Sequence, residues 1–158
     1  MIEIVVTPTM LVEARDKAVE MGRLHNSIMN GAGNIAGFIG EAIAQQVLGG
    51  KLDNTYDYDL VLDSGKTVDV KTKQTSVKPL DTYDCSIAAL NTKQKCDYYC
   101  FVRVKNNFSV GWYLGVYDKQ QYMEDAVFMK KGQVDDSNGY TVKSDCYNLK
   151  ISMLKEKP

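Results

Sequence analysis

The chain has 158 residues, 44% of them hydrophobic and 25% charged, with a formal net charge of −1. That length supports one domain, residues 1–158, with a real hydrophobic core, and the near-neutral charge excludes a protein that coats nucleic acid through bulk positive charge. No apolar run approaches the ~20 residues of a membrane helix, and the opening run before Pro8 is too short for a signal peptide, so a cytoplasmic protein is expected, in the host cytoplasm if phage-encoded.

After a short opening strand, Thr9 can cap a helix over about 10–29, in which Ala14, Ala18, Met21, Leu24 and Ile28 recur at helical spacing. Asn30-Gly31-Ala32-Gly33 breaks it. A second helix over 34–48 carries the stripe Ile35, Phe38, Ile39, Ala42, Ile43 and Val47 and ends at Gly49-Gly50. Strands follow over about 57–62 and 66–72, then an extended piece over 83–88. Residues 97–105, rich in tyrosine, valine and phenylalanine, form the clearest strand, and Asn106-Asn107 suits a two-residue turn into another over 108–117. Asp118 with Gln121 is a capping box for a helix over 119–125, and weaker strands lie near 140–143 and 149–154. Helices, then strands, then a helix predict an α/β fold, a mixed central β-sheet flanked by helices.

Cys85, Cys96, Cys100 and Cys146 contain no CxxC pair and read as reduced core thiols. His25, the lone histidine, has no companion for a zinc or histidine-based hydrolase. Trp112, Tyr113 and Tyr117 read as core packing. The basic residues are uneven: Lys66, Lys71, Lys73 and Lys78 cluster, Lys93, Lys95, Arg103 and Lys105 follow, and Lys130 and Lys131 come later, a pattern that reads equally as a phosphate-facing surface or as solvated charge.

The hairpin carries the chemistry. Asp69 and Lys71 are two apart and share one face of a strand, with Val68 and Val70 on the other. A two-residue turn at Ser64-Gly65 would set Asp69 against Leu60, carboxylate against core. A three-residue loop, Asp63-Ser64-Gly65, sets Leu62 against Lys66, Leu60 against Val68 and Asp59 against Asp69, with Gly65 in the left-handed position such a loop wants. Only that register yields one apolar and one polar face. Two like charges opposite one another call for something positive between them, and Mg²⁺ prefers carboxylate and carbonyl oxygens. Asp57, on the same face as Asp59, stays a rival for the first acid, but Asp59 is preferred because the loop parity sets it opposite Asp69. Glu41 sits roughly 60° beyond Phe38 on the second helix, at the margin of its apolar stripe, among the small residues Gly37, Gly40 and Ala44. Taken alone it is an ordinary boundary glutamate, and the weight lies in the conjunction. Lys71, two residues after an acid, can orient an attacking water or neutralise charge on phosphate.

Gly40-Glu41 in the helix, Asp59 as the first-strand acid and Asp69-Val70-Lys71 on the second strand together resemble the PD-(D/E)XK nuclease superfamily. The likeness spans about residues 34–105, includes the strand from Asp97 to Val104, and extends less closely to Phe128–Gly132. No proline precedes Asp59. The resemblance implies a restriction-endonuclease-like core of αβββαβ type and Mg²⁺- or Mn²⁺-dependent hydrolysis of a nucleic-acid phosphodiester. It implies Glu41, Asp59, Asp69 and the Val70 carbonyl as metal ligands, direct or through water, and Lys71 as the group that positions the nucleophile. Lys73 and Gln74, just past the motif, together with Lys93 and Lys95, are candidates for nucleic-acid contact, though Lys73 and Gln74 read more readily as plain loop residues. The expected activity is that of a small DNA endonuclease in repair, recombination or phage DNA processing, dimeric if it cuts duplex or branched DNA. The alternative is a non-catalytic nucleic-acid-binding or phage assembly protein that keeps the fold.

Overall fold

The structure is a computed structural model that describes residues 1–25, 34–136 and 139–158, with side chains except those of 22–25. Strand β1 (Ile2–Val5) leads into helix α1 (Pro8–His25). The Thr7 hydroxyl accepts the Met10 N–H at 3.2 Å, so Thr7 caps α1 in place of the expected Thr9. Pro8 takes the first helical position, where its missing N–H costs nothing. The predicted end of that helix and the Asn30–Gly33 break fall on 26–33, outside the described residues. Helix α2 (Ile35–Leu48) starts after Asn34 and stops at Gly49, as predicted.

Next come β2 (Lys51–Leu52), β3 (Leu60–Val61), β4 (Thr67–Thr75), β5 (Asp84–Ala88), β6 (Tyr98–Lys105) and β7 (Val110–Asp118). Six strands form one mixed sheet in the order β1-β7-β6-β4-β3-β2, with β4 and β6 parallel and the other neighbours antiparallel. The chain is thus a mixed α/β fold. Helix α3 (Lys119–Asp125) is capped by Asp118, whose carboxylate accepts the Gln121 N–H at 3.0 Å. Short strands β8 (Val127–Met129), β9 (Val134–Asp135), β10 (Tyr140–Thr141) and β11 (Cys146–Lys150) follow.

Three expectations are corrected. The 83–88 piece, β5, leaves the main sheet and joins a second one in the order β5-β11-β8. The crossover from β4 to parallel β6 therefore carries a strand and a 3₁₀ turn (Ala89–Thr92), where an αβββαβ order has a helix. The β6–β7 turn is longer than two residues: Phe108 N–H does donate to the Lys105 carbonyl at 2.8 Å, but Phe108 takes a left-handed φ of 56° and β7 begins only at Val110. The last two strands are displaced to Tyr140–Thr141 and Cys146–Lys150, since residues near 151–153 coil into a 3₁₀ turn.

The sheet separates two cores. On one face Ile39, Ile43 and Ala44 of α2 pack on Val68, Cys100, Val102 and Val104. The other face, with Tyr99, Phe101, Trp112, Leu114 and Tyr117, is covered by β5, β11 and Tyr122 of α3. Strand alternation sorts β4 between them: Val68 and Val70 face α2, whereas Asp69, Lys71 and Lys73 stand in register beside Tyr99, Phe101 and Arg103. Among the described residues no helix is long and apolar enough to cross a membrane.

Candidate active site

The β3–β4 hairpin has the predicted register. Leu60 pairs with Val68 and Val61 with Thr67, the Leu62 N–H donates to the Lys66 carbonyl at 2.8 Å, and Gly65 closes the loop at φ 82°. The strand is much shorter than expected, however. At Asp59 the N–H still reaches the Val68 carbonyl (2.9 Å), but residues 53–58 fold back on themselves through Asp53 N–H to Asp59 O and Thr55 N–H to Tyr58 O.

Asp59 thus lies just outside the ladder, and its side chain replaces the missing strand. Its Oδ2 accepts the Val70 N–H at 2.7 Å. The carbonyls of Lys66 and Val68 point to this edge of β4, where Leu62 and Asp59 donate to them. Alternation sends the Val70 carbonyl to the same edge, past the end of β3 and beside the Asp59 carboxylate. Asp57, the rival, is engaged elsewhere: its Oδ1 accepts the Lys95 N–H at 2.9 Å.

Asp69 is 6% exposed. Lys71 Nζ approaches its Oδ2 to 2.6 Å, an ion pair without hydrogen-bond alignment, which leaves that buried oxygen with no aligned donor. Around the pair stand Tyr99, whose buried hydroxyl also has no partner among the described residues, and the half-buried Cys96. Burial, and then the Asp69 charge, push the Cys96 thiol up to about 11. Lys119 lies over the Tyr99 ring at 5.9 Å and donates to the Gln94 carbonyl. Asp59 is raised to about 6, first by burial, against the Val70 N–H, and then by the adjacent Asp69 carboxyl.

Glu41 arrives from the opposite face. Thr72 has the parity of Val70, so it faces α2, and a Cβ on Gly40 would fall within 2.9 Å of the Thr72 Cβ and 3.0 Å of its Cγ2. The glycine lets the helix touch β4, which brings Glu41 to the sheet edge. Gly37, one turn before Glu41, has open space around it instead. Glu41 is 8% exposed, and its Oε2 accepts from the Asn54 amide at 2.7 Å. Burial raises its pKa to about 7 against that bond, and the charges of Asp59 and Asp69 add to the rise while Lys17 opposes it. Glu41 on the helix face, Asp69 on the other and Asp59 at the edge therefore sense one another electrostatically. Among the described residues, no three His, Cys, Asp or Glu side chains are arranged to hold a metal ion as they stand. The donor set still suits a hard cation: a free-edge carbonyl and two adjacent carboxylates, one of which has a buried oxygen with no aligned donor among the described residues.

Lys73 and Gln74 are strand residues of β4, not loop residues, and both are exposed. Lys93 and Lys95 are exposed on the segment that enters β6, and the backbone of Lys95 adjoins the Asp57 loop. Asn54 was not among the sequence candidates, and Arg103 stood among them only as one member of the uneven basic pattern. Nothing local singles out Asn54 in a polar turn, whereas Arg103 had a signal: one arginine at the parity of Tyr99 and Phe101 in an apolar strand. Compared with models of known protein families and with curated proteins, the sequence matches none.

Proposed function

We propose that this chain is a divalent-metal-dependent nuclease that hydrolyses DNA phosphodiester bonds, built on a restriction-endonuclease-like core formed by α2, β2–β4 and β6. The observation that carries the reading is the edge of β4. There Asp59 and Asp69 lie side by side, Lys71 is ion-paired to Asp69, and the ladder has just ended.

Asp59, Asp69 and the Val70 carbonyl would hold a Mg²⁺ or Mn²⁺ ion, and Glu41, tied to Asn54 on the far face, would act on it through water. Such an ion supplies Lewis-acid polarisation of a phosphoryl oxygen and a bound water of lowered pKa. Glu41 and Asp59 are held above their usual carboxylate range first by burial and then by neighbouring acid charge, so a cation entering among these carboxylates would be favoured by charge and would displace protons. Lys71 is held by charge beside the Asp69 carboxylate, and its ammonium donors would orient the attacking water or stabilise charge on the phosphate. Lys73, Gln74, Lys93 and Lys95 would meet the strand on either side, and cutting both strands of a duplex would call for a homodimer.

The test is incubation with supercoiled, linear and branched DNA in Mg²⁺ or Mn²⁺. Cleavage abolished by Asp69→Ala and by Lys71→Ala is expected, and cleavage that survives both would sink the mechanism. One observation favours a second reading, a non-catalytic nucleic-acid-binding or assembly protein: among the described residues the acids do not close into a three-ligand group. DNA binding without cleavage of any substrate would establish that reading.

A further inference from the structure

One strand step beyond Lys71 is a second cluster of charge, and it is all positive. Arg103 on β6 is only 9% exposed, set between Cys85, Phe101 and Leu114. Its Nη2 donates to the Asp84 carbonyl at 2.8 Å. Among the described residues no carboxylate pairs with it, because the Asp84 side chain is taken by Lys150 at 3.0 Å. Lys73 is its register neighbour on β4 and has no acid partner among the described residues either. Lys143 lies near enough to act on Lys73 with the same sign. Between these groups a cleft of about 40 Å³ opens, lined also by Lys71 and Ser86. That is room for roughly three water-sized groups.

A guanidinium taken out of water normally gains a carboxylate in exchange. Here the fold instead adds a lysine beside it and leaves space in front. Arg103 retains donors beyond the one spent on Asp84, in a planar fork that matches an oxyanion. We infer that the cleft between β4, β5 and β6 is a phosphate-binding site built by Arg103, Lys73 and Ser86, adjoining the Asp69–Lys71 pair. The site itself does not depend on the nuclease reading, but assigning its phosphate to a nucleic-acid strand does. The phosphate is then either an internal phosphodiester next to the scissile one or a terminal phosphomonoester.

The experiment uses the full chain without metal, in EDTA at constant ionic strength. Inorganic phosphate is titrated by thermal shift against chloride, and short single-stranded DNA carrying either a 5′-phosphate or a 5′-hydroxyl is titrated by fluorescence anisotropy. Saturable phosphate binding is expected, weakened at least about tenfold by Arg103→Gln and by Lys73→Met, the scale of one charge-assisted contact. A preference for the 5′-phosphorylated strand that these variants abolish assigns a terminal monoester. Equal binding of the two strands, weakened by the variants, assigns an internal diester. Affinity for phosphate unchanged in the variants overturns the inference. Should Arg103→Gln fail to fold, Lys73→Met, at an exposed position, decides alone. Because no metal is present, phosphate binding without cleavage elsewhere would defeat only the nuclease, and cleavage with variant-insensitive phosphate binding would defeat only this site.

Discussion

Replacing Gly40 by alanine tests whether helix–strand contact or helix propensity governs the position of Glu41. Propensity favours alanine by about 1 kcal/mol in a helix interior. Packing opposes it, because the new methyl would meet Thr72 Oγ1 and lie 2.9 Å from Cβ and 3.0 Å from Cγ2 of the same residue. Rotating a β-branched side chain exchanges Oγ1 for Cγ2 but leaves Cβ where it is, so the helix itself must move. Overpacking of this kind costs about 1–3 kcal/mol and more when backbone shifts. The expected net effect of Gly40→Ala is a destabilisation of about 1–2 kcal/mol. For a chain of this size that lowers Tm by roughly 2–8 °C. Urea unfolding of Gly40→Ala, Thr72→Gly, which removes the opposing Cβ, and the double variant measures the coupling, and the double variant should recover about 1 kcal/mol or more. Because Glu41 is the next residue, Gly40→Ala should also lower any cleavage activity more than its stability loss explains. A Gly40→Ala protein as stable as the wild type, or single effects that simply add, would refute the close-approach argument.

The pH dependence follows from the raised acids. In the metal-free protein folded Glu41 holds its proton up to about pH 7 and unfolded glutamate only to about 4.5, so the native state binds more protons between those values and stability falls as pH rises through that window. Glu41→Gln should therefore match the wild type near pH 4 and exceed it at pH 8 by up to about 3 kcal/mol in chemical denaturation, and equal stability at both pH values would contradict the burial argument. Asn54→Ala removes the donor that lowers the Glu41 pKa, so the acidic limb of any metal-dependent pH–rate profile should move up by about one pH unit; an unmoved limb would show that Asn54 does not position Glu41. Lys71→Met leaves Asp69 buried without its counter-charge and should cost about 2–4 kcal/mol, most of it recovered by adding Asp69→Asn, while cleavage stays abolished in both. Mn²⁺ at a hundred times its dissociation constant should stabilise the wild type at pH 8 by about 2.7 kcal/mol, an effect lost in Asp69→Asn.

Much of the local structure was legible in the residues. The period of the second helix, its Gly49 stop and the Asp118 cap describe short-range preferences that tertiary packing did not override. The hairpin register was legible too, because a one-residue slip would expose Leu60 and Val68 and bury the acids, and only Gly65 accepts the left-handed corner without strain. The same register favoured Asp59 over Asp57 by setting it opposite Asp69, but it could not show that the chain leaves the ladder at Asp59 or that the Lys95 N–H, 38 residues away, claims Asp57.

The sequence by itself determined which side of each strand is apolar, where the hairpin turns, and that Asp69 and Lys71 share a face, since alternation and turn chemistry act over a few residues. Tertiary structure alone decided that Glu41 comes to the acids from the opposite face of the sheet. It also decided that Asn54 holds Glu41, that β5 leaves the main sheet, and that Arg103 faces an open cleft with no carboxylate paired to it among the described residues. Those outcomes depend on which distant surfaces bury one another, and burial is a property of the whole fold that no local pattern encodes.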